Sequence, residues 1–134
     1  MTVPDKYIKF GKEFNGEIVA YDNNMCVAMR IRDLEITIQG HLSKSPLVLG
    51  ALFSYEYDLE NNDQDALCLI QIPVTENEIN LLVPILKSLD FKIDSLNNRW
   101  IKVDPPIYYV NAHVIDDPTI FAINVSHIFS ILKL

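Results

Sequence analysis

Five carboxylates stand in the fourteen residues from Phe53 to Ala66, FSYEYDLENNDQDA: Glu56, Asp58, Glu60, Asp63 and Asp65, with no Lys or Arg among them. Carboxylates at this density hold a hard cation, present negative potential to a basic partner, or simply solvate a strand face and its turn. The calcium-loop spacing fails. With Asp58 as first ligand, Glu60 and Asn62 fill the third and fifth places, but Asp63 falls where the sharp turn needs Gly, and Leu69 where a bidentate Glu is required. No metal and no cofactor is therefore expected.

A basic protein partner fits the pattern better. Between Ser45 and Leu86 the chain carries seven carboxylates and no Lys or Arg, while the other 92 residues balance 11 acidic against 11 basic groups. The whole formal charge of −7 thus lies in one segment. Repulsion within such a segment is relieved by a surface of opposite sign, which also speeds encounter. Tyr55 and Tyr57 precede the acids, and strand alternation turns them away from Glu56 and Asp58, toward the core with an aromatic edge at the rim. Nucleic acid is not expected as a direct ligand: Lys6, Lys9, Lys12, Arg30 and Arg32 are few and offset by neighbouring acids.

A second constellation is His113 with Tyr109 and Asn111, which share one face of the strand IYYVNAHVI while Val110, Ala112 and Val114 share the other. Such a polar row lines a pocket with His113 as acid or base, or is the wet side of a sheet. His127, Asn124 and Ser130 make a thin polar stripe on the last helical stretch, read as its exposed edge. Trp100, the one tryptophan, is expected to pack in the core. Other chemistry is missing. No two of the four glycines build a phosphate cradle, there is no Gly-x-Ser-x-Gly elbow, neither Cys carries a nucleophile signature, and His41, His113 and His127 are too scattered for a zinc pattern. No catalytic residue is assigned, and a binding protein is expected before an enzyme.

The elements that must position these residues read as mostly β. Glu17–Tyr21 is a strand, Asp22-Asn23-Asn24 a turn, and Met25, Val27, Met29 and Ile31 share the face of a second strand whose phase breaks at Arg32-Asp33. Phe53 to Leu59 alternates as a half-buried strand; Ala66 to Ile72 is apolar on both faces, which suits a central one. Thr75 with Glu78 forms a capping box that opens a helix with the stripe Ile79, Leu82, Val83, Leu86, expected to kink or end near Val83 because of Pro84. FKIDSLNNRWIKV reads as a hairpin turning at Leu96-Asn97-Asn98, and Asp117-Pro118 as the start of a second helix. The sum is an α+β fold: a mostly antiparallel sheet of six to eight strands with two helices packed on one face.

A chain of 134 residues, 49% apolar and 22% charged, without repeats or low-complexity linkers, fits a single globular domain over residues 1–134. The start MTVPDKYIKFGKEF lacks an apolar run of leader length, so a cytoplasmic location is expected. PTIFAINVSHIFSILKL is shorter than a membrane span and carries polar residues, so no membrane association is expected. Cys26 and Cys68 are expected as buried, reduced thiols.

Three functional readings follow. The first is a small acidic inhibitor or immunity-type protein that neutralises a basic partner, such as a nuclease toxin, by occluding its active site with Glu56, Asp58, Glu60, Asp63 and Asp65. The second is a small-molecule-binding or enzymatic domain with a pocket around His113, Tyr109 and Asn111. The third is a homodimer or other interaction subunit that uses the apolar last helix.

Overall fold

A computed structural model describes residues 2–58 and 65–132. The fold is α+β. Its main sheet has six antiparallel strands in the order β1 (Glu17–Tyr21), β2 (Met25–Ile31), β5 (Gly50–Glu56), β6 (Ala66–Thr75), β9 (Ile107–Asp116) and β7 (Lys92–Asn97). A smaller sheet places β3 (Ile36–Ile38) between β4 (His41–Ser43) and β8 (Val103–Asp104). The helices are α1 (Asp5–Lys12), α2 (Pro46–Leu49), α3 (Glu76–Ser88) and α4 (Pro118–Leu132).

The period-2 rule decides which face is wet. Cys26 and Ala28 of β2, Phe53 and Tyr55 of β5, Cys68, Ile70, Ile72 and Val74 of β6, and Val110 and Ala112 of β9 point to one side, where they meet α1, α3 and α4 in the main core. Helix α1 contributes Tyr7 and Phe10, followed by Phe14 just past its end. Helix α4 spends Phe121, Ala122, Val125, Ile128, Phe129 and Leu132 inward. Rings at 4.9 Å (Phe10–Tyr55), 5.1 Å (Phe14–Phe53) and 5.4 Å (Phe53–Phe129) pack edge to face, a geometry that adds to area burial. The opposite face, with Met25, Val27, Met29, Leu52, Ser54, Leu69, Gln71, Asn111 and His113, carries no helix of the main core and is half-buried to exposed. At one end of that face the small sheet and α2 enclose a second core of Ile36, Val48, Leu49, Ile107 and Tyr109.

Several expectations need correction. The sequence pattern predicts two helices, and α1 and α2 add two more; the Tyr7 and Phe10 spacing of α1, continued by Phe14 past its end, is a helical stripe. Of the kink or early end expected near Val83, the early end does not occur: helix α3 runs through Pro84 to Ser88. Leu82 and Leu86, both fully buried, anchor it on either side of the proline, and the carbonyl of Asn80 that loses its partner belongs to an exposed residue that water can reach. The stretch from Phe91 to Val103 is not a hairpin. Strand β7 pairs with β9, whereas β8 crosses to β3, matching Thr37 with Asp104 and Ile38 with Val103. The odd-numbered apolar residues of β2 do share a face, but it is the open one. Between β3 and β4 the chain reverses through Gln39 (φ 49°) and Gly40 (φ 79°), consecutive left-handed residues of the kind tight hairpins require.

Candidate functional site

Strand register gathers the acids. Glu56 ends β5, Asp65 immediately precedes β6, and Asp116 ends β9 opposite Ala66, so the three strand ends bring these carboxylates to one end of the main sheet. Asp58 follows β5 there, Asp22 sits in the β1–β2 turn at the same end, and Asp117 is one residue beyond Asp116. Glu56, Asp58 and Asp65 are exposed. Glu60 and Asp63 lie outside the described residues. The ion pair Arg32–Glu78 and the 2.7 Å contact of His113 with Asp94 engage carboxylates elsewhere on the molecule. Asp116 and Asp117 have local work: Asp116 Oδ1 accepts from the Asp117 N–H at 2.8 Å, and Asp117 Oδ1 accepts from the Thr119 N–H at 2.7 Å, which caps α4.

The two tyrosines separate. Tyr55 is 5% exposed and belongs to the core, while Tyr57 is 37% exposed with its ring 5.9 Å from that of Tyr55. Burial, then Asp117, Cys68 and Asp65, push the Tyr57 hydroxyl above its ordinary pKa, so it lies within the negative field of this end. A cavity of about 450 Å³ opens beside it between α1 and the start of α4, lined by Phe10, Tyr55, Tyr57 and Asp117 and also by Lys6 and Lys9. These two lysines border the acidic end from α1, and Lys6 lies over the Tyr7 ring at 4.9 Å.

The row expected around His113 divides. His113 and Asn111 do face the open side together: His113 Nδ1 is 2.7 Å from Asp94 Oδ2, Gln71 Nε2 donates to Asn111 Oδ1 at 3.0 Å, and Asn111 Nδ2 donates to Ser95 Oγ at 3.0 Å. Tyr109 does not join them. It is 1% exposed in the second core, where its hydroxyl donates to the Val48 carbonyl at 2.9 Å and accepts from Trp100 Nε1 at 2.7 Å, with the Arg99 guanidinium 3.9 Å over its ring. Trp100 is accordingly half-buried in that second core. Asn124 is half-buried, and His127 and Ser130 are exposed on α4.

Sequence reasoning missed Arg32. It is 1% exposed, and its guanidinium donates to the Pro73 carbonyl at 2.8 Å and to Glu78 at 3.0 and 2.6 Å, while its Nε has no partner. Glu78 also accepts from the Thr75 N–H at 3.0 Å, so the capping box of α3 and the buried pair share one carboxylate. Burial alone raises the Glu78 pKa, but the bonds from Arg32 and Thr75 outweigh it and hold the group below its ordinary range.

Cys26 and Cys68 are free and fully buried, with thiols pushed up to about 12 chiefly by burial. Both are paired in register with Tyr55, on opposite sides of β5, which sets their α-carbons about 10 Å apart at the usual strand spacing, too far for a disulfide. Among the described residues no three His, Cys, Asp or Glu side chains group as a metal site, and no helix is long and apolar enough to cross a membrane.

No curated protein and no solved structure matches the chain. A family model does, over residues 10–130, which takes in both sheets, the acidic end and the His113 face. The chain therefore belongs to the family described as Domain of Unknown Function (DUF1259).

Proposed function

We propose that this chain is a small acidic binding protein of inhibitor or immunity type, which neutralises a basic protein such as a nuclease toxin by covering its active site. The observation that carries the reading is the convergence of Glu56, Asp58 and Asp65, with Asp116 and Asp117, on the end where β5, β6 and β9 meet. A partner that binds nucleic acid presents a basic cleft, and carboxylates fixed at strand ends offer it the charge of phosphates on a scaffold that loses little entropy on docking. Half-exposed Tyr57 at the rim supplies apolar contact of the kind enriched in interfaces. Lys6 and Lys9 on α1 bound the surface on one side and set its limit.

Capture of the protein encoded by the neighbouring gene tests the reading, with wild-type chain and with Glu56→Gln/Asp65→Asn as bait, at low and at high salt. Capture by the wild type that weakens with salt and with neutralisation is the expected result. Equal capture by the neutralised chain, at both salt concentrations, removes the acidic end from the interaction.

A further inference from the structure

The open face of the main sheet is divided lengthwise. Two neighbouring rows cross it: Val27, Ser54, Leu69 and His113 in one, and Met29, Leu52, Gln71, Asn111 and Ser95 in the next. The β2–β5 half of these rows is mostly aliphatic, and the β9–β7 half is polar. Between them lies a shallow, open cleft of about 390 Å³, lined by Val27, Leu52, Leu69, Gln71, Asn111 and Asp94 among others.

The polar wall is pre-oriented. Gln71 donates one N–H to Asn111 Oδ1, and Asn111 donates in turn to Ser95, so neither amide is free to rotate without breaking a bond. A carboxamide has two N–H donors and one carbonyl, and among the described residues nothing donates to Gln71 Oε1. Gln71 therefore keeps its acceptor oxygen and its second N–H for a ligand, the two kinds of group with which Gln and Asn read an adenine edge. Both signs of charge stand next to the cleft: Asp94 contacts His113, and Lys92 stands opposite His113 across β9 and β7.

We propose that this cleft is a binding site for a neutral, planar heterocycle with a donor and an acceptor adjacent on one edge, as in a lactam or a nucleobase. The edge pairs with the Gln71 amide, and the ring face lies on the aliphatic wall of Val27, Leu52 and Leu69. Asn111 and Ser95 are positioning residues: they hold Gln71 in the orientation the edge requires. The absence of aromatic side chains from the lining disfavours sugars, which stack on rings, and the mixture of Asp94 and Lys92 offers an ion no field of a single sign. This site is separate from the acidic end and does not depend on its role.

The test is a titration of the isotope-labelled chain with 2-pyridone, followed by backbone amide NMR, with pyridine as the control that keeps the ring and loses both the N–H and the carbonyl of the pairing edge. Saturable shifts centred on Leu69 to Gln71 and Asn111 to His113 are expected with 2-pyridone and not with pyridine. Gln71→Leu is expected to weaken the response about tenfold, within the range of one bidentate pair. Gln71→Glu keeps the shape, removes both donors, and answers the same question should the leucine variant not fold. No saturable shift at any soluble concentration, shifts elsewhere in the molecule, or unchanged binding by a folded Gln71 variant each overturns the proposal.

Discussion

Replacing Glu78 by Ala strands a guanidinium that has almost no access to water. Arg32 is 1% exposed, and without the two carboxylate bonds its remaining side-chain partner is the Pro73 carbonyl, with Nε already unpartnered. Leaving one member of a buried pair uncompensated costs about 3–5 kcal/mol, and the 16% exposure of Glu78 lets water enter, which favours the low end. Loss of the capping box adds about 1 kcal/mol, for a total of about 4 kcal/mol. Stability of domains of this kind is about 5–15 kcal/mol, so a large part of it goes. Arg32→Met is different: it leaves a carboxylate that can hydrate and still cap α3, so about 2 kcal/mol is expected. With the charge removed from both sides, Arg32→Met/Glu78→Ala costs well under the sum of the two single changes. Urea unfolding of the four proteins measures these costs. A Glu78→Ala cost below about 1 kcal/mol, or strict additivity in the double variant, would refute a desolvated charge as the main source of the loss.

The same carboxylate fixes an acid limit: because the folded-state pKa of Glu78 lies below the ordinary 4.5, its contribution is present above that value and fades as pH falls through the folded one, a step in the urea midpoint that Glu78→Ala should flatten. Pro84→Ala is expected to stabilise by about 2 kcal/mol, because α3 already runs through that position and Ala restores a hydrogen bond to Asn80; a lower melting temperature would refute this. Asp117→Ala removes the side-chain bond to the Thr119 N–H and is expected to cost about 1 kcal/mol, read by thermal unfolding. Cys26 and Cys68, buried and pushed up to about 12, are expected to ignore an aromatic disulfide reagent at mildly alkaline pH until urea unfolds the chain. As their folded-state values lie above the ordinary 9.0, the neutral thiols also favour the fold below that pH, and this support is lost as pH climbs through the folded values.

What the sequence disclosed were features whose cause is local. The capping box of Thr75 and Glu78, the Asp117-Pro118 helix start, the turn after Tyr21 and the alternation of β9 each depend on a few neighbouring side chains, and each stands in the structure. What it did not disclose depends on partners distant along the chain. Arg32 reads locally as a turn residue; only when the end of β6 brings Pro73 and the first turn of α3 brings Glu78 beside it does it become the most deeply buried charge among the described residues. The Asn97-Asn98 pair looks like a hairpin tip. Yet the strand after it finds β3 instead of β7, because Trp100 is drawn toward Tyr109 and Val103 into the second core.

Tyr109 shows why a polar row on a strand does not define a site. It shares its face with Asn111 and His113, but that face passes from under the small sheet to open solvent within those five residues. At Tyr109 the hydroxyl must be satisfied inside a core, so Val48 and Trp100 take it up; at Asn111 the amide is half-open and bonds sideways to Gln71 and Ser95; at His113 water is near and Asp94 suffices. The part able to receive a ligand is set by where the covering layer stops, which β3, β4, β8 and α2 determine. The acidic end escapes this difficulty because it lies at the strand ends, where Glu56, Asp58 and Asp65 stay exposed and where register alone, by aligning the last residue of β5 with the start of β6 and the last of β9, is enough to collect charge.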